Sequence, residues 1–100
     1  MINPGARLES QVCETQVIVI RVSDTLTRLR CGGAPMVPVG DAEEAGAGPD
    51  PRFANGSALG KRYTDESGAE LLVTRAGAGT LTIDDTPLQV KRAKALPSSD

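Results

Sequence analysis

The chain has 100 residues, 39% of them hydrophobic, with a net charge of −2, one phenylalanine, one tyrosine and no tryptophan or histidine. That length carries one small domain with a thin core, because 12 of the apolar residues are alanines and Val, Ile, Leu and Phe make up only 22% of the chain. The charge, about −3 over residues 1–50 and +1 over residues 51–100, is too weak to collect nucleic acid, and two aromatics cannot build a base-stacking platform.

Residues 1–10, "MINPGARLES", lack the basic and apolar regions of a signal peptide. No apolar run reaches the 18 or so residues of a membrane span, so the reading is a cytoplasmic protein with no membrane or nucleic-acid partner. Two cysteines in that compartment are expected as thiols rather than as a structural disulfide.

The first β-rich unit covers residues 11–39. "QVCETQVIVIRV", Gln11 to Val22, is rich in β-branched residues, and its continuous apolar stretch Val17 to Ile20 predicts a strand covered on both faces. Turn-forming "SDT" at Ser23–Thr25 predicts a hairpin that pairs this strand with "LTRLRC", Leu26 to Cys31. "MVPV", Met36 to Val39, reads as a short third strand that Pro38 confines to an edge or a strand end.

Residues 40–60, from Gly40 to Gly60, are mostly Gly, Ala, Pro and acids, which predicts a long mobile loop. The competing reading is that Phe53, alone among small residues there, docks into a partner or into the domain's own core. Residues 61–91 read as a β-meander of "KRYT", "ELLVTRA", "TLTI" and "LQV". "AGAG" at Ala76–Gly79 is expected to be a hairpin and Asp84–Asp85 a turn. Alternation in "TLTI" places Leu81 and Ile83 on a buried face and Thr80 and Thr82 on an open one. Residues 92–100 read as a frayed tail. The fold class expected is thus all-β.

The absence of histidine removes the commonest general base and the usual nitrogen ligand for metals. Neither Glu43–Glu44 nor Asp84–Asp85 converges as an acid–base pair on a strand, because adjacent residues face opposite ways. Ser57, in "NGSALG", has neither the nucleophile-elbow spacing nor a base to activate it. These facts point away from an independent enzyme. Cys13 and Cys31 stand at comparable distances from the expected Ser23–Thr25 turn and so are expected to approach each other. Three uses are open to them: two buried thiols, a redox pair, or two ligands of a metal completed from elsewhere.

The order Cys13, "QVIVIRV", "LRCGG", "PMV" resembles the rubredoxin-like fold of desulforedoxin and of the N-terminal domain of desulfoferrodoxin over residues 11–38. Cys13 matches the first cysteine of the first knuckle, with Gln16 in its partner's place. Cys31 matches the second cysteine of the second knuckle, Arg30 stands where the first would be, and Gly32 and Met36 complete the pattern. The resemblance implies a degenerate knuckle, a turn kept without its metal or cofactor, since Gln16 and Arg30 are poor ligands.

The function expected is a small non-catalytic accessory or interaction subunit that binds itself, as a homo-oligomer, or a larger protein subunit through Val17, Val19 and Phe53. The alternative is a degenerate rubredoxin-like metal or redox module in which Cys13 and Cys31 hold zinc or iron at a site shared between subunits.

Overall fold

A computed structural model describes residues 2–41 and 48–91. Its strands are β1 (Arg7–Glu9), β2 (Gln16–Arg21), β3 (Leu29–Cys31), β4 (Ala34–Pro35), β5 (Val37–Pro38), β6 (Arg62–Thr64), β7 (Glu70–Arg75), β8 (Leu81–Ile83), β9 (Thr86–Pro87) and β10 (Gln89–Val90). They form two antiparallel sheets, one ordered β10-β6-β7-β2-β1-β5 and the other β4-β3-β8-β9. The protein is all-β, and no helix of the described residues is long and apolar enough to cross a membrane.

The centre of the larger sheet is the β2–β7 pair, in which Val17 faces Val73 and Val19 faces Leu71. All four side chains are buried, and such directly opposed apolar pairs are the unit of sheet stabilisation. They join Leu29 and Cys31 of β3 and Leu81 and Ile83 of β8 in one hydrophobic core shared by both sheets. β2 is covered on one face only: Ile18 is half-buried and Ile20 is 36% exposed. Val17 and Val19, expected at a partner surface, are instead packed inside the chain's own core.

The expected hairpin at Ser23–Thr25 does not form. Ser23 caps a short 3-10 helix, Asp24–Arg28, by accepting the Thr25 N–H on its side chain, and the helix buries Leu26 while carrying the chain to the other sheet. Ser and Asp before an apolar residue are helix-start chemistry as much as turn chemistry, and burial of Leu26 decides between them. Residues 1–10, for which no element is expected from the sequence, contribute β1, which lies between β2 and β5. Pro38 sits on β5 at the sheet border, as its missing N–H requires.

Residues 61–91 do not make one meander. β6 and β7 pair in the larger sheet and β8 and β9 in the smaller, while β10 returns to β6. Ala76–Gly79 is therefore a crossing between sheets rather than a hairpin. Asp84–Asp85 is the two-residue turn of the β8–β9 hairpin, with Asp84 at φ +52°. Thr82 is buried along with Leu81 and Ile83, because its hydroxyl donates to the Asp84 carbonyl at 2.7 Å.

The expected loop of residues 40–60 is docked where it is described. Asp50 caps a 3-10 turn, Pro51–Phe53, and Phe53 is buried against Gly33 of its own domain, its carbonyl accepting the Thr80 N–H at 2.7 Å. Residues 42–47 and the expected tail at 92–100 lie outside the described residues.

Glu70, buried at the start of β7, binds Lys91 Nζ at 2.9 Å and lies 3.5 Å from Arg62 Nη1. The hydrogen bond from Lys91 holds its carboxyl below the usual range. Because the folded pKa is depressed, this contribution is full above the unfolded pKa near 4.3 and is lost as pH falls through the folded value. Replacing Glu70→Gln should lower stability by about 1 to 2 kcal/mol at neutral pH. Thermal midpoints measured down to acidic pH should show the gap to wild type closing; a gap independent of pH would show that the charge is irrelevant.

Candidate functional site

The loop between β1 and β2 is closed by its own polar groups. The Ser10 N–H donates to the Thr15 carbonyl at 2.9 Å, and Ser10 Oγ accepts the N–H groups of Val12 and Cys13, each at 3.1 Å. This compact loop presents the half-buried Cys13 to Cys31, which ends β3 and has no exposed surface. The two sulfurs are 3.8 Å apart.

Three further segments close around them. The Gly79 N–H donates to Cys13 Sγ at 3.3 Å. A Cβ on Gly79 would stand 2.9 Å from the Cys31 sulfur, 3.0 Å from that of Cys13 and 2.8 Å from the Gly32 nitrogen, so only glycine lets this strand connection cross so close. Gly32, at φ +66°, turns the chain after Cys31, and a Cβ there would meet Val12 Cγ2 at 2.7 Å. Residues 49–57 lie over this turn, with the Asp50 N–H donating to the Gly32 carbonyl at 2.9 Å.

The two thiols differ in kind. Burial pushes the Cys13 thiol up, but the Ser10 and Thr15 hydroxyls and the N–H groups of Thr15 and Gly79 outweigh it and bring its pKa down to about 7. Burial, then the charge of Cys13, push Cys31 up to about 12. Around neutral pH the pair therefore carries at most one negative charge, present on about half the molecules at pH 7 and on the more accessible sulfur. The Arg30 guanidinium donates to the Gly33 carbonyl at 3.1 Å and stiffens the turn.

Behind Cys13 runs a line of hydroxyls. Thr15 Oγ1, with no exposed surface, is 3.3 Å from Cys13 Sγ and 2.6 Å from Ser57 Oγ. Ser57 is itself held by its N–H on the Gly77 carbonyl at 3.0 Å. Thr15 does not stand out in the sequence, and Ser57 is weighed there only as a nucleophile and set aside. The one available signal was local: Ser10 and Thr15 bracket Cys13 at spacings that suit hydroxyl contact with its backbone and sulfur.

Of the residues singled out from sequence, Cys13 and Cys31 come together, though not across a hairpin. Val17, Val19 and Phe53 lie in the interior. Asp84 and Asp85 form a turn, and Glu43 and Glu44 lie outside the described residues. Among the described residues no three His, Cys, Asp or Glu side chains cluster as metal ligands. An open cavity of about 670 Å³, lined by Thr25, Arg28, Asp65, Ser67 and Asp84 among others, lies away from the sulfurs. Arg28 is paired there with Asp84 and Ser67 with Asp65, and the cavity holds no nucleophilic thiol, so the thiol pair is the better candidate site. Compared with known proteins, the chain matches no family model, no curated protein and no solved structure.

Proposed function

We propose that this is a small cytoplasmic thiol–disulfide module whose working centre is Cys13 and Cys31. The observation that carries the reading is the pairing, at 3.8 Å, of a thiolate-prone, accessible sulfur with a buried, protonated one. Reactive dithiols need this division, because one sulfur must attack and the other must wait.

The chemistry follows from the two environments. Cys13 thiolate attacks one sulfur of a substrate disulfide, forming a mixed disulfide and releasing the other half as a thiolate. Capping Cys13 removes the charge that adds to burial in holding the Cys31 pKa high. Cys31 then gives up its proton, which ends on the departing substrate sulfur, and displaces that second substrate half from Cys13, closing the Cys13–Cys31 disulfide. Two electrons pass to the substrate, which leaves as two thiols.

We favour a dithiol over zinc or iron shared between subunits. Such a site needs both sulfurs open to a second chain, whereas Cys31 is fully covered and Gly79 closes over the pair. The rubredoxin-like resemblance then concerns the Gly32–Gly33 turn alone, kept as a scaffold for a dithiol.

Equilibrating the protein with mixtures of reduced and oxidised glutathione, and counting free thiols by mass, tests the proposal. Both thiols should disappear together at one defined ratio, while Cys31→Ser should stop at a mixed disulfide. A folded protein that keeps both thiols across the whole range, or that purifies with stoichiometric zinc or iron bound through them, would overturn it.

The accessory-subunit reading keeps one supporting observation. Ile20 and Val22, 36% and 44% exposed, leave apolar surface at the end of β2. A mass by light scattering that rises with concentration would favour it, and Ile20→Lys should abolish that rise.

A further inference from the structure

The thiol–disulfide reading explains the two sulfurs but not the hydroxyls behind them. Thr15 is fully buried, and its short bond to Ser57 joins positions 42 residues apart. A hydroxyl pair buried at the edge of a hydrophobic core carries a desolvation cost that two apolar side chains would avoid. Its bonds can also be drawn in two directions. With Cys13 as a thiol, the S–H donates to Thr15, Thr15 to Ser57, and Ser57 to the Gly77 carbonyl, 3.5 Å away. With Cys13 as a thiolate, Ser57 donates to Thr15 and Thr15 to the sulfur. The Gly77 carbonyl keeps the Ser57 N–H in both cases, so neither arrangement strands a buried polar atom.

Thr15 Oγ1 lies 3.3 Å from Cys13 Sγ, which is itself 3.8 Å from Cys31 Sγ, and the Thr15 hydroxyl is among the groups that lower the Cys31 pKa. Once a substrate caps Cys13, that sulfur no longer needs a donor, while Cys31, buried and without an exposed edge, must become an anion to react. We infer that Thr15, oriented by Ser57, is the positioning residue of the resolving step: its hydroxyl serves Cys13 in the resting pair and passes to Cys31 when Cys13 is capped. Ser57 makes this possible by keeping the Thr15 oxygen supplied with a proton while the Thr15 proton faces the sulfurs. The inference rests on the thiol–disulfide reading and adds to it the groups that let the buried cysteine attack.

The test separates the two steps of the exchange. A bis(nitrobenzoate) disulfide releases one coloured thiolate when Cys13 attacks and a second when Cys31 resolves, so the phases are read separately. Removing the donor in Thr15→Val lowers the thiolate fraction of Cys13 but raises its intrinsic nucleophilicity, and the first phase should change by no more than about threefold. The second phase should slow by about tenfold, since of the two hydroxyls that favour the Cys31 thiolate, Thr15 and Ser10, Thr15 acts more strongly. Thr15→Ser should restore it, and Ser57→Ala should slow the same phase by about threefold.

If Thr15 and Ser57 only pin residues 49–57 in place, both variants should loosen the site and speed both phases together. Equal or faster second phases in folded variants would therefore overturn the inference and leave the thiol–disulfide reading standing. A wild-type protein that releases only the first thiolate would overturn both. Should Thr15→Val fail to fold, Ser57→Ala decides alone, because the backbone bond from Ser57 to Gly77 survives that change.

Discussion

At pH 7, iodoacetamide should modify Cys13 at least a hundredfold faster than Cys31. With pKa values of about 7 and about 12, roughly half of Cys13 is thiolate, against about one part in 100,000 of Cys31. A more basic thiolate is the better nucleophile, and with a Brønsted slope of about 0.4 to 0.5 this returns a factor of about a hundred or more to Cys31. Several hundredfold remains before access is considered, and the complete burial of Cys31 widens it further. The rate at Cys13 should rise with pH to a plateau with a midpoint near 7. Peptide mapping of the alkylated protein gives both rates at once. Equal labelling of the two cysteines in the folded state would mean that the asymmetry is absent, and the division into attacking and resolving sulfurs would go with it.

The all-β class was legible because β-branched residues, short apolar runs and Gly, Asp and Pro breakers alternate along the chain. What was not legible is which sheet each strand joins. Local turn chemistry at Ser23–Thr25 and Ala76–Gly79 suggested hairpins, since neighbours in sequence usually pair. The structure instead pairs β2 with β7 and β3 with β8, partners far apart in the sequence. Burying Val17 against Val73 and Val19 against Leu71 offers more than either short turn can. The same preference for local readings left residues 49–57 as loose chain. Their packing depends on Phe53 finding Gly33 and Thr80, and nothing next to Phe53 in the sequence announces either.

The candidate site was half legible. Cysteines are rare enough in this chain for the pair to be noticed, and their convergence was expected from a hairpin that does not exist. They meet because the β1–β2 loop and the end of β3 lie on opposing sheets and both close over the core. Thr15 and Ser57 are ordinary hydroxyl residues, so nothing in their type marks them. Only the meeting of two distant loops gives them a role, and two glycines allow that meeting.

Gly77→Ala tests that junction most severely. A Cβ at this position would overlap the nitrogen and Oγ1 of Thr15 and stand 3.1 Å from the Glu14 carbonyl carbon. Two of these three atoms are backbone, so no side-chain rotation relieves the clash; either residues 10–15 or residues 76–80 must move. Both segments touch the sulfurs, the first through Cys13 itself and the second through the Gly79 N–H. The substitution should cost about 3 kcal/mol or more, a fall in thermal midpoint of more than about 10 °C for a domain of this size. Gly60→Ala is the matched control: it meets no neighbouring atom, and its φ of +79° limits the penalty to backbone strain of about 1 to 2 kcal/mol. Calorimetry measures both variants, and alkylation reports on the sulfurs. In whatever fraction of Gly77→Ala remains folded, Cys31 should become reactive at neutral pH, because the cover over it has shifted. If Gly77→Ala melts with Gly60→Ala and Cys31 stays silent, the crossing strand does not press on Thr15, and the enclosure of the thiol pair must rest on other contacts.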